Sequence, residues 1–168
     1  MRAKIFLCKG CGLLHLEWDD PLPFKERQEW ETFQNALPEL KQIKVPRCTL
    51  IESIKEIELH CFADASMFGY GGVTYLRCVS KIGEVKVTLL CSKSRVSPIK
   101  VITIPRLELC AAEFLSKRVC KVITSLSLYD DKVILYTDST IVLAWIATSP
   151  HLLIVFVSNR VARIQSAN

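Results

Sequence analysis

The sequence predicts an α/β fold, a mixed sheet flanked by helices and preceded by a helical connector. Three observations predict it. Apolar and polar residues alternate in successive runs between Ile57 and Cys91, the period of half-buried strands. From Pro105 to Leu126 the spacing changes, and Ala111, Leu115, Val122 and Leu126 trace a helical stripe. A further strand-like run, Val133–Thr137, then leads into a second helical segment. The order β-β-β-α-β-α is an antiparallel meander followed by a helical crossover, which gives a mixed sheet with helices on its faces.

Each element has a local reason. Residues 1–50 hold most of the seven prolines and a dense mix of charge. Asp20-Pro21 reads as a helix start, with Asp as cap and Pro at the first helical position, followed by Trp30, Phe33 and Leu37. Pro38 ends that helix, and Ile43–Pro46 is a short extended exit. Residues 1–50 therefore read as a connector, and residues 51–168 as the main domain. In the first strand Ile57, Leu59, Cys61 and Ala63 face one way and Glu58, His60, Phe62 and Asp64 the other. Gly69, Gly71 and Gly72 mark a turn or bulge into Val73–Val79, and Gly83 a hairpin turn into Val85–Cys91. Lys93–Lys100 reads as a basic loop. Pro105 opens the long helix, Val133–Thr137 ends at Asp138, and Ser139 caps a helix through Ala147. Leu152–Gln165 fits neither period cleanly.

Composition narrows the class. With 168 residues, 50% hydrophobic and 23% charged, the chain is neither a disordered tail nor a fibre. Its 22 Lys and Arg against 17 Asp and Glu give a formal +5. Ser139–Asn159 is a 21-residue stretch without a charged side chain, but Ser139, Thr140, Thr148, Ser149, Pro150 and His151 interrupt it, so no membrane span is expected. The basic start Met1-Arg2-Ala3-Lys4 is followed by an apolar run that Lys9 stops at once, so no secretory signal is expected. Most of the eight cysteines lie in apolar runs, the place of buried reduced thiols. The expectation is an intracellular protein, cytoplasmic or nuclear, with no membrane partner.

Two strands end in an aspartate among small residues, Phe62-Ala63-Asp64-Ala65-Ser66 and Tyr136-Thr137-Asp138-Ser139-Thr140, and Pro105-Arg106-Leu107-Glu108-Leu109 puts a glutamate early in the long helix. If the first and fourth strands are neighbours, Asp64 and Asp138 lie side by side and Glu108 can lean over both. Such a cluster needs cations, and carboxylate oxygens suit Mg²⁺ or Mn²⁺. Two such ions about 3.5–4 Å apart can stabilise the attacking and leaving oxygens of a phosphodiester cleavage. On pattern alone the aspartates read equally as turn or helix caps, and Glu108 as a partner of the helix dipole. Asp19-Asp20 stands before Pro21 rather than at a hairpin tip, so it reads as a cap and not as a polymerase motif. Cys8-x-x-Cys11 with His15 has partial zinc-site spacing but no second pair.

The stretch from Glu58 to Gln165 resembles the ribonuclease H-like region of BEL/Pao-type retrotransposon polyproteins, a group often given a Pao retrotransposon peptidase name. The similar segments are Phe62-Ala63-Asp64-Ala65-Ser66 with Tyr70-Gly71-Gly72-Val73, Ser92–Pro98, Ile104–Leu109, Thr137–Trp145 and Phe156–Val161. Residues 13–47 resemble the connecting segment before that region, between it and the reverse transcriptase region. The resemblance implies a ribonuclease H-like mixed five-stranded sheet and a metal-dependent endonuclease that cleaves the RNA strand of RNA–DNA hybrids. It implies Asp64, Glu108 and Asp138 as catalytic residues and ligands of two Mg²⁺ (or Mn²⁺) ions, with Asp64 bridging both. It implies Lys93, Arg95, Lys100 and Arg106 on the phosphates of the hybrid, contacts that weaken with salt, and the rest of the polyprotein as partner. It also implies a fourth carboxylate in an Asn-x-Ala-Asp-like motif past the region of Arg160–Gln165, so the expectation is a C-terminally truncated domain holding three of four carboxylates, which would bind the second ion weakly.

Two rivals stand beside this reading. An aspartic peptidase needs two Asp-Thr/Ser-Gly turns, but position 66 is Ser and position 140 is Thr, so both glycines are missing. A non-catalytic nucleic-acid-binding remnant of a retroelement polyprotein fits the expected truncation.

Overall fold

The computed structural model describes residues 2–11, 16–17, 19–46, 48–128 and 131–167. The chain forms two compact units, Met1–Val45 and Pro46–Asn168.

In the first unit, α1 (Arg2–Ile5) runs into a π-helical turn (Phe6–Cys11), and α2 (Phe24–Ala36) continues as a 3-10 helix through Leu37–Gln42. Phe6 stacks on Trp30 with centroids 5.1 Å apart, and Trp30 meets Phe33 at 5.4 Å. The helix does not start at Asp20-Pro21. Asp20 accepts the Glu17 N–H at 2.8 Å and closes a local turn instead. Leu22 is held out of helical geometry by the proline after it, so α2 begins only beyond Pro23, whose carbonyl accepts the Arg27 N–H at 2.9 Å. Pro38 ends the α-helix without ending the coil, because its missing N–H is tolerated in the first turn of the 3-10 segment.

In the second unit, β1 (Ile54–Ser66), β2 (Gly69–Ser80) and β3 (Val85–Val96) form an antiparallel meander. Helix α3 (Ile104–Leu126) then crosses over to β4 (Lys132–Tyr136), which pairs parallel with β1. Parallel neighbours require such a crossover. The sheet order is β3-β2-β1-β4. The described residues thus make four strands rather than the expected five. Leu152–Gln165 contributes no strand: after a 3-10 turn (Pro150–Leu152) it forms α5 (Val155–Gln165). Val157, Val161 and Ile164 fall on one helical face there, and all three are buried.

Two cores result. Leu59, Cys61, Ala63, Leu76 and Cys78 of the sheet pack on Ala111, Leu115 and Val119 of α3. Leu109 and Ala112 of α3 pack with Val142 of α4 (Thr140–Ala147) and with the buried face of α5. Helix α3 is therefore covered on two sides, and its first half is buried almost continuously from Leu107 to Ser116. Leu126, expected on its apolar stripe, is exposed beyond both cores.

Gly71 and Gly72, expected at a turn or bulge, lie in regular pairing inside β2, whose register shift toward β3 comes later, between Thr74 and Tyr75. A Cβ on Gly71 would stand 2.8 Å from the Lys93 carbonyl oxygen, and one on Gly72 2.7 Å from a Leu115 methyl. These glycines let β3 and α3 approach the strand. The strand turn is instead at Met67-Phe68, while Gly83 does occupy the β2–β3 turn with φ +86°. Among the described residues no helix is long and apolar enough to cross a membrane. Cys61, Cys78 and Cys110 are buried free thiols, and Cys8 and Cys48 are exposed ones.

Candidate active site

The β1–β4 register runs from Glu58 opposite Lys132 to Phe62 opposite Tyr136. Asp64 follows two residues later within β1, and Asp138 follows two residues after Tyr136, past the end of β4. Parallel neighbours are about 4.8 Å apart. Both side chains are exposed. Asp64 caps no helix: it sits near the end of β1, where its Oδ1 accepts the Ala65 N–H at 2.7 Å. Asp138 is not the cap of α4 either. That role belongs to Ser139, whose Oγ accepts the Val142 N–H at 3.3 Å and whose own N–H donates to Thr137 Oγ1 at 3.3 Å. The cap role open to Asp138 in the sequence is thus filled by Ser139.

Glu108 lies half-buried on α3, the helix packed across β1 and β2. It is past the first turn, which holds no acidic residue, so it is not placed as a partner of the helix N-terminus. The three carboxylates have the hard-oxygen chemistry that Mg²⁺ takes. Among the described residues, however, no three His, Cys, Asp or Glu side chains gather closely enough to hold one ion, so Glu108 is not drawn into a ready-made cage.

On the face of β1 that carries Asp64, a second carboxylate is held in a way the sequence reading missed. Glu58 accepts from Arg77 Nη1 at 2.6 Å and from Lys132 Nζ at 2.8 Å, and His60 Nε2 lies 3.2 Å away. An ionised carboxylate only accepts, so the His60 N–H on Nε2 points at Glu58, which in the neutral ring leaves Nδ1 to accept the Tyr136 hydroxyl at 3.0 Å. The hydrogen bonds from Lys132, His60 and Arg77 outweigh burial and hold Glu58 at a pKa of about 2, below its ordinary 4.5. His60 and Phe62 both stack on Tyr136, at 5.8 and 4.6 Å. The available signal was cross-strand: in register, Glu58 faces Arg77 on one side and Lys132 on the other.

The four basic candidates do not share one loop. Lys93 and Arg95 belong to β3, which runs on to Val96, five residues past the expected Cys91. Lys100 is exposed between β3 and α3. Arg106 is in the first turn of α3 with its guanidinium 5.2 Å from the Phe156 ring, which also carries Arg160 at 3.7 Å. Of the Cys8, Cys11 and His15 group, Cys8 is exposed, while His15 and the side chain of Cys11 lie outside the described residues.

No curated protein matches the sequence. Among solved structures, the ribonuclease H1 of the halophilic archaeon Halobacterium salinarum NRC-1 aligns with 66% of this chain and 76% of its own, at 11% identity and a TM-score of 0.35. The model of one family, described as the Pao retrotransposon-like RNaseH-like domain, matches residues 1–139, which take in both strand-end aspartates and Glu108. The chain belongs to that Pao retrotransposon-like RNaseH-like domain family.

Proposed function

We propose that this chain is a nuclease domain that cuts the RNA strand of RNA–DNA hybrids with divalent metal ions, Mg²⁺ or Mn²⁺. The observation that carries the proposal is the parallel β1–β4 pairing, whose register ends at Phe62 and Tyr136, two residues before Asp64 and Asp138, while Ser139 rather than Asp138 caps α4. Asp64, Glu108 and Asp138 would hold two ions. Bound there, such ions supply a water deprotonated near neutral pH and a counter-charge for the developing oxyanions. The protein's own part would be to offer carboxylate oxygens from the end of β1, the segment after β4 and the N-terminal half of α3. Lys93, Arg95, Lys100 and Arg106 would take phosphates of the hybrid, and residues 1–50 would connect this domain to the reverse transcriptase region of a polyprotein.

The test is cleavage of an end-labelled hybrid in Mg²⁺, in Mn²⁺ and in EDTA. Cutting of the RNA strand in either metal, absent in EDTA and reduced by about 100-fold or more in Asp64→Asn and Asp138→Asn, is the expected result. Cleavage by Asp64→Asn at the parent rate would overturn it. A non-catalytic nucleic-acid-binding role is the second reading, favoured by the lack of a three-carboxylate group among the described residues. Hybrid binding without cutting in either metal would select it.

A further inference from the structure

On the α3 face of the sheet a groove of about 650 Å³ lies between β3, the outer side of α3 and α5. Its charge is lopsided. Lys93 and Arg95 enter from β3, and Lys117, Arg118 and Lys121 from α3. Arg160 and Arg163 close it from α5, and Glu113 is its one carboxylate. The groove alone carries a formal +6 against +5 for the whole chain, so everything outside it sums to −1. A basic helix face is usually just solvated, but here three elements turn their cations into one concavity.

Glu113 does not neutralise it. Its carboxylate is engaged by Lys117 at 2.6 Å, Arg163 at 3.0 Å and Arg160 at 3.5 Å. Among the described residues no carboxylate lies within ion-pair distance of Lys93, Arg95, Arg118 or Lys121. Two of these are held in place: the Arg95 and Arg118 guanidiniums lie 5.0 and 5.8 Å from the Phe114 ring. A ring contact fixes the side chain before any ligand arrives and lowers the entropy cost of binding.

We propose that this groove carries the nucleic-acid surface begun at Lys93 and Arg95 on across α3 and α5, where it grips the sugar–phosphate backbone of a single strand. Guanidinium forks and ammonium groups suit phosphate oxygens. Phe114 is buried beneath its two arginines and offers no face to a base, so recognition runs through phosphates and is independent of sequence. A groove of about 650 Å³ takes a short stretch of one strand's backbone at a time. The choice of nucleic acid among polyanions rests on the nuclease reading, with which the groove shares Lys93 and Arg95, but the groove uses none of Asp64, Glu108 and Asp138.

The experiment is fluorescence anisotropy of a labelled oligothymidylate with the full chain in EDTA, where no hybrid is cut, across a salt series. Arg118→Gln/Lys121→Gln is expected to weaken binding about tenfold and to lower the slope of log K against log salt by about 1.4, two phosphates at about 0.7 each. Asp64→Asn is expected to bind like the parent, and polyglutamate of equal length to compete poorly. Lys121→Glu, a single exposed substitution, is the second variant should the double one melt early. Parent-like binding and slope in a folded variant, or equal displacement by polyglutamate, would overturn the proposal. Loss of hybrid cleavage with this binding intact would bear on the active site alone.

Discussion

Glu58 is a carboxylate in the middle of a strand with only 8% of its side chain exposed, which is costly unless its charge is answered. Three hydrogen-bonding neighbours answer it and depress its pKa from 4.5 to about 2. A depressed carboxylate contributes stability that is present above the unfolded pKa and lost as pH falls through the folded one. The melting temperature is therefore expected to fall between about pH 4.5 and pH 2, and Glu58→Gln to flatten that fall. Glu113 adds to the same trend: burial pushes it up, but Lys117, Arg163 and Arg160 outweigh burial and its pKa is lowered. The slope should shrink in Glu58→Gln rather than vanish, and an unchanged pH profile by circular dichroism would count against the network. At this scale the sequence was read unevenly. Asp64 and Asp138 stood out because each ends an apolar strand, a local signal. Glu58 did not, because alternation alone assigns it to a polar face, and its partners come from strands 19 and 74 residues away. Gly71 and Gly72 were misread because crowding by Lys93 and Leu115 is a tertiary fact that local sequence does not display.

At the scale of elements, the end of β4 and the start of α4 separate the aspartate proposed for metal binding from the serine that caps the helix. Ser139 caps α4, and the residue before it is free of that duty. Replacing an N-cap serine by alanine costs about 1 kcal/mol, so Ser139→Ala is expected to lower the melting temperature by about 3–5 °C. Asp138→Asn leaves the cap in place and is expected to melt with the parent while losing hybrid cleavage. Thermal melts of the two variants side by side check this, and a large loss of stability in Asp138→Asn would show that the aspartate has a structural role after all. The Ser139 cap, the Pro105 helix start and the strand alternation were legible because each is written in adjacent residues. The length of β3 was not. The run Ser92–Val96 has strand partners in Gly69–Val73, so its structure comes from the neighbouring strand rather than from its own polar composition. Helix α5 was illegible for the opposite reason: its apolar residues answer to a second core built with α3 and α4, which no window of sequence contains.

Over the whole molecule, both cores lie within Pro46–Asn168: every residue of the sheet–α3 core and of the α3–α4–α5 core falls in that unit. Helix α2, by contrast, buries no residue. Apolar burial is what offsets chain entropy on folding, so the unit that holds the buried apolar residues must hold most of the stability. A chain of residues 46–168 is therefore expected to fold by itself, to melt cooperatively within a few degrees of the full chain, and to keep Cys61 and Cys78 protected. Burial raises the pKa of both thiols, so an alkylating reagent at mildly alkaline pH should modify the exposed Cys48 first and reach those two only after unfolding. Mass spectrometry of the alkylated fragment against the full chain reads both points. If the fragment is labelled at Cys61 and Cys78 as fast as at Cys48, or melts without cooperativity, then residues 1–45 supply stability that neither core accounts for, and the division of the chain at Val45 does not mark a folding boundary.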